Sequence, residues 1–303
     1  MDLTVHIGNL KLKNPVMTAS GTFGYGEEYS EFINLNRLGA IVVKGISLEP
    51  MEGNPPPRIC ETPCGMLNAI GLQNIGLKRF LGEKLPYLRK FNTKVIVNIL
   101  GNTIRDYIRL AQALEDERVD GIELNVSCPN VKKGGIIFGT DKKMLGRLIS
   151  GVRKSIKKTL LITKLFPNTS NIHEFAKIAE DSGSDAISLI NTIPAMAIDI
   201  EIWRPKLANI TGGLSGPAIR PVAVRMVWEA SRAVKIPVIG IGGTMNSDDA
   251  IEFMLAGATA IQVGTANFLN PKSTVEIIDG IEKYLKKKGI NNIVDIIGAL
   301  CYA

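Results

Sequence analysis

One cysteine, in the run Asn125-Val126-Ser127-Cys128-Pro129-Asn130, is the residue best suited to carry a proton in this chain. Pro129 ends any strand that precedes it and turns the thiol outward among amides and a hydroxyl. A free thiol titrates near ~8.5, so a modest depression by a lysine or by amide dipoles makes it a base near neutral pH. An isolated cysteine is by default a small packed hydrophobe, and it is the polar neighbours that argue for chemistry. The only histidines are His6, in a hairpin-like segment, and His173, at the start of a helical pattern. Neither position suits catalysis or a metal centre, and no metal site is expected. Proton transfer then falls to Cys, Lys, Ser, Tyr or a carboxylate.

Two lysines, Lys44 and Lys164, each close an apolar run, an unusual place for a strongly hydrated cation. They either snorkel to the surface or hold an anion, and in the second case they can stabilise negative charge on a substrate or a reduced ring. Glycines at Gly242-Gly243 and at Gly264-Thr265 follow two other apolar runs. Besides turning the chain, such glycines expose N–H groups where a phosphate can sit near a helix N-terminus.

The elements that position these residues repeat as a short apolar strand followed by an amphipathic helix. The strand candidates are Pro15 to Ser20, Ala40 to Lys44, Val95 to Ile99, Gly121 to Val126, Leu160 to Leu165, Ala186 to Asn191, Pro237 to Ile241 and Ala260 to Gly264. The helix candidates are Glu27 to Leu38, Ile104 to Asp116, Lys142 to Lys158, Ile172 to Ser182, Pro217 to Val234, Ser247 to Ala256 and Pro271 to Lys288. Continuously apolar strands such as Val95-Ile96-Val97 imply burial on both faces, as in a parallel sheet covered by helices. Eight such units predict an α/β fold, a closed (β/α)8 TIM barrel, with its active site at the C-terminal strand ends. Met1 to Lys13 alternates like an N-terminal β-hairpin, and Gly45 to Asn92 reads as a long inserted active-site loop plus a helix. No linker composition divides the chain, so residues 1–303 are expected to form a single domain.

Composition narrows the class. With 45% hydrophobic and 21% charged residues the chain can bury a sizeable core. Its formal charge of +7 favours anionic ligands, and the run Lys286-Lys287-Lys288 reads as a solvated helix face, so nucleic-acid binding is not expected. Four cysteines in 303 residues do not make a disulfide framework, which fits a reducing compartment. No signal pattern opens the sequence and no apolar stretch approaches the ~20 residues that span a bilayer, so a cytoplasmic protein without membrane association is expected.

The cysteine run, together with Asn68-Ala69-Ile70-Gly71-Leu72-Gln73-Asn74, resembles the class 1 dihydroorotate dehydrogenases. The likeness covers nearly the whole chain and includes Ala19-Ser20-Gly21-Thr22, Val43-Lys44-Gly45, Gly53-Asn54-Pro55-Pro56-Pro57-Arg58, Asn191-Thr192, Gly212-Gly213-Leu214-Ser215-Gly216-Pro217 and Gly264-Thr265-Ala266. It implies FMN contacts at Ser20, Lys44, Gly45, Asn98, Asn125, Lys164, Ile190, Gly216, Gly242, Gly243, Gly264 and Thr265. It implies substrate contacts at Lys44, Asn68, Ala69, Ile70, Gly71, Leu72, Asn125, Asn191 and Thr192. Cys128 would remove the C5 proton of dihydroorotate while hydride leaves C6 for the flavin. Class 2 enzymes, with serine at the cysteine position and an N-terminal extension, are less similar.

Within class 1, the run from Lys132 to Asp141 resembles the B subtype, which delivers electrons to NAD through a partner subunit carrying FAD and a [2Fe-2S] cluster. No four-cysteine cluster run exists here to do this internally, so a separate partner is implied, and the resemblance implies a heterotetramer of two catalytic and two electron-transfer chains. The alternatives are the fumarate-linked A subtype, a dihydropyrimidine dehydrogenase module, and a non-catalytic barrel that binds a phosphorylated ligand. Cys64 departs from the serine expected between Pro63 and Gly65, while Cys60 and Cys64 alone are too few for a metal site.

Overall fold

A computed structural model describes residues 1–126, 135–169 and 171–301 of the chain. Eight parallel strands close into a barrel in sequence order. They are β1 (Val16–Thr18), β2 (Ala40–Ile46), β3 (Lys94–Ile99), β4 (Gly121–Asn125), β5 (Leu160–Lys164), β6 (Ala186–Leu189), β7 (Val238–Ile241) and β8 (Ala260–Val263). Each expected strand is present. The register closes the ring where Ser188 of β6 pairs with Lys164 of β5. Helices Ile104–Asp116, Lys142–Ser155, Ile172–Asp181, Arg220–Ala233, Ser247–Leu255 and Ser273–Lys288 cover the outside. Their apolar faces and the strands make one continuous buried cluster, the non-directional burial that holds a parallel barrel together.

The N-terminal hairpin forms from Val5–Ile7 and Leu10–Leu12. The expected helix from Glu27 to Leu38 does not form, and two short 3-10 turns, Glu27–Tyr29 and Leu35–Arg37, stand there instead. Ser30 Oγ donates to Glu27 O and Asn34 Oδ1 accepts from Asn36 N. These local side-chain bonds offer the backbone an alternative to the helical ladder, while Tyr25, Ile33, Leu35 and Leu38 are still buried.

The inserted segment after β2 contains a hairpin, Ile59–Thr62 with Gly65–Asn68, and a helical stretch over 76–88. A second hairpin, Ile193–Met196 with Thr211–Ser215, follows β6. Asn68 pairs with Gly213, which joins the two hairpins into one four-stranded antiparallel sheet. This sheet roofs the C-terminal mouth of the barrel. The second hairpin and its pairing are absent from the expectations above, because strands separated by some 140 residues leave no local signal of partnership.

Candidate active site

All eight strand ends open into one cavity of about 540 Å3 beneath the roof sheet, a size ordinary for a cofactor-binding cleft. Ser20, Lys44, Gly45, Asn98, Asn125, Lys164, Ile190, Gly216, Gly242, Gly243, Gly264 and Thr265 all line it, as do Asn68, Ile70, Gly71, Leu72, Asn191 and Thr192. Ala69 does not. Its side chain is fully buried with Leu67 and Leu207 on the far face of the roof, so strand alternation leaves it no part in the wall. Cys128 lies outside the described residues, as do Lys132 and Lys133 of the subtype run.

Sequence reasoning singled out none of Thr22, Arg58, Gln73 and Ser215 for the wall. Arg58 is held there by donating to Asn54 O at 3.2 Å and to Gln73 Oε1 at 2.7 Å. Thr265 Oγ1 donates to Ser215 Oγ at 2.8 Å and Asn68 Nδ2 to Gly213 O at 3.2 Å, which tie the roof to β8 and to itself. Tyr107 OH donates to the Asn125 carbonyl at 2.8 Å and fixes the end of β4. Leu72 takes a positive φ of 61° on the wall, a costly conformation for a branched residue that clusters at functional sites.

The cavity is cationic. Lys44, Arg58 and Lys164 all face it. Burial, and then the Arg58 guanidinium, hold the Lys44 ammonium below its ordinary value, with Glu28 acting in the opposite sense. Burial also raises the Tyr29 phenol, assisted by Glu28, and Tyr29 OH donates to Thr22 O at 2.9 Å. Lys164 is only 6% exposed and makes no hydrogen bond among the described residues. Asn98 Oδ1 and Asn125 Oδ1 are likewise buried without a partner among the described residues. A ligand rich in ring N–H and carbonyl groups satisfies both kinds of orphan.

The glycine turns fit a bulky, phosphorylated occupant in part. Gly243 has φ 79°, and a Cβ there would meet Gly216 O at 2.7 Å, so two turns approach backbone to backbone. At Gly264 the opposite holds: among the described residues a Cβ would meet only Ala19 Cβ at 3.6 Å and the Thr22 methyl at 4.0 Å. The space beside Gly264 belongs to the cavity, a cradle that any side chain would fill. The helix N-terminus expected beside a phosphate is already taken after β7 and carries no side-chain cap after β8. Asn246 Oδ1 already caps the helix after β7, accepting from Asp248 N and Asp249 N, two acidic residues unsuited to an anion. After β8 comes a single turn, Ala266–Leu269. Main-chain groups of the glycine turns, together with the start of the short helix after β8, are left to meet a phosphate.

Comparison with known proteins agrees with this geometry. Residues 2–285 match the family model described as dihydroorotate dehydrogenase. A protein of Geotalea uraniireducens named dihydroorotate dehydrogenase B (NAD(+)), catalytic subunit, is 58% identical over 300 residues, 99% of this chain and 98% of its own length. Proteins of the same name from Thermoanaerobacter sp. and Thermodesulfovibrio yellowstonii are 56% and 58% identical over 99% and 98% of this chain, covering 99% and 98% of their own lengths. A crystal structure of DHODH from Eimeria tenella in complex with ferulenol shares the fold, with a TM-score of 0.82 at 23% identity, over 98% of this chain and 88% of that one. With a family match over residues 2–285, several relatives above half identity and every strand end of the barrel turned to one polar cavity, this chain belongs to the dihydroorotate dehydrogenase family.

Proposed function

We propose that this chain, as one FMN-binding barrel unit, oxidises (S)-dihydroorotate to orotate in UMP biosynthesis and passes the two electrons to NAD through a partner subunit. The observation that carries the reading is the convergence of Lys44, Lys164 and Arg58 with Asn68, Asn125, Asn191 and Thr192 in one roofed cavity beside glycine turns. FMN, when bound, supplies the two-electron acceptor for the hydride that leaves C6. The chain does the rest. Cys128 takes the C5 proton, and the pair of electrons left by that bond becomes the C5=C6 double bond. The four polar side chains hold the planar ring product through its amide and carboxylate groups, and Lys44 faces its negative charge. Lys164, with no hydrogen bond of its own among the described residues, is placed to stabilise negative charge gained by the flavin.

The names of the relatives support the B subtype, with NAD as acceptor and a separate partner subunit; that partner we propose to carry FAD and a [2Fe-2S] cluster, in a heterotetramer of two catalytic and two electron-transfer chains. The test is anaerobic. Purified chain is expected to show flavin absorbance near one per protein, bleached by dihydroorotate, and to reduce NAD only after an iron–sulfur flavoprotein partner is added. Reduction of fumarate by this chain alone would exclude the B subtype, and folded protein unable to take up FMN would leave only a non-catalytic barrel.

Orotate binding carries a pH signature. In the empty site burial favours the neutral Lys44 amine, whereas a bound carboxylate favours the ammonium, so binding takes up a proton between the depressed value and the ordinary 10.5. Affinity therefore falls as pH rises through that window. Lys44→Met is expected to weaken orotate by about tenfold or more, the scale of one charged hydrogen bond, and to flatten the alkaline limb. Isothermal titration across pH reads both; an unchanged alkaline limb in Lys44→Met removes Lys44 from the role.

A further inference from the structure

The barrel interior holds a carboxylate that none of these steps uses. Glu123, in the middle of β4, is 0% exposed and contributes nothing to the cavity wall. Four strands aim donors at it. Its Oε1 accepts from Asn98 Nδ2 at 2.7 Å, and its Oε2 accepts from Ser188 Oγ at 2.8 Å and Gln262 Nε2 at 2.7 Å. Lys164 Nζ lies 3.9 Å from Oε1. A buried carboxylate is costly even when fully paired, and a packed aliphatic residue would fill the same strand position at lower cost. Its worth must lie in what it imposes on its neighbours.

An ionised carboxylate only accepts. Both amides must therefore turn their NH2 groups toward Glu123, and both carbonyl oxygens, Asn98 Oδ1 and Gln262 Oε1, are buried without a partner among the described residues. Asn98 is also on the cavity wall. Lys164, on the wall too, has Glu123 as the one carboxylate within ion-pair reach among the described residues.

We propose that Glu123 is a positioning residue for the flavin: its buried charge is the counter-ion of Lys164 and turns the Asn98 amide so that a carbonyl oxygen, not an NH2, is offered to the cavity. Glu123→Gln keeps the shape, removes the charge and lets the Asn98 amide turn over. The inference rests on FMN as the occupant. Apoprotein is titrated with FMN, and the midpoint potential of bound flavin is measured with reference dyes. Glu123→Gln is expected to raise the FMN dissociation constant at least tenfold and to make the potential more positive, because a negative charge near the ring has gone.

A merely structural role lowers the melting temperature and leaves both readouts unmoved, which overturns the proposal. Wild-type apoprotein that takes up no FMN would instead sink the functional reading. A second comparison uses no flavin and covers a Glu123→Gln protein that fails to fold. Lys164→Met strands a buried anion, so apoprotein carrying both Lys164→Met and Glu123→Gln is expected to melt above Lys164→Met alone. A double variant that melts below it, or stays unfolded when Lys164→Met folds, overturns the pairing.

Discussion

Cys128→Ala is expected to retain FMN at full stoichiometry while dihydroorotate reduces the bound flavin roughly 10²-fold more slowly, or slower still, the usual scale for a lost general base. Among the described residues on the cavity wall the one carboxylate, Glu28, is already engaged by the Tyr25 N–H at 3.0 Å. His6 and His173 are exposed and absent from the cavity wall. Lys44, Lys164 and Arg58 are wanted as cations, and burial disfavours the phenolate of Tyr29. Cys128 stands three residues beyond Asn125, the cavity-lining end of β4. Anaerobic stopped-flow spectroscopy separates the outcomes. A wild-type reduction rate in Cys128→Ala removes the thiol from the chemistry, and loss of flavin absorbance in the variant makes it a cofactor ligand instead.

Gly264→Val is expected to yield apoprotein that melts like the wild type and yet binds FMN about 10- to 100-fold more weakly, the effect of forcing 1–3 kcal/mol of overpacking onto the complex alone. The asymmetry follows from position. Among the described residues nothing opposes a Cβ at Gly264 more closely than Ala19 Cβ at 3.6 Å, and no left-handed φ there strains a side chain. The added methyls occupy cavity space, so only a complex pays. At Gly243, by contrast, a side chain collides with Gly216 O and demands a positive φ, so apoprotein stability falls with binding. Fluorescence titration of FMN beside thermal melting distinguishes the two. Equal FMN affinity in Gly264→Val and the wild type would move the occupant away from β8.

These residues illustrate what a chain discloses before it folds. Barrel strands bury both faces, so Val95-Ile96-Val97 and its counterparts read as unbroken apolar runs, and where each run meets a polar residue the cavity wall begins. That rule finds Lys44, Asn98, Asn125 and Lys164 directly. It fails where partnership is non-local, as for the hairpin Ile193–Met196 with Thr211–Ser215, and where short side-chain bonds displace a helix, as from Glu27 to Leu38. Arg58 and Gln73 face the cavity only because the roof folds over it, which no spacing reveals. Glu123 carries a fainter signal. In Gly121-Ile122-Glu123-Leu124-Asn125 it shares an alternate face with Asn125, so a charge points to the barrel axis where hydrophobes are the rule.

The roof sheet has a kinetic meaning as well. Its central ladder joins Asn68 to Gly213, residues held apart in sequence by four barrel strands, and such closures are late because chain entropy must be spent before contacts reward it. The lid is thereby the last part to assemble and, with only a small apolar cluster of Leu67, Ala69 and Leu207 on its face away from the cavity, the first to open. Its amides should exchange with deuterium ahead of those in β3 or β4, giving a nucleotide a route in while the staves stay intact.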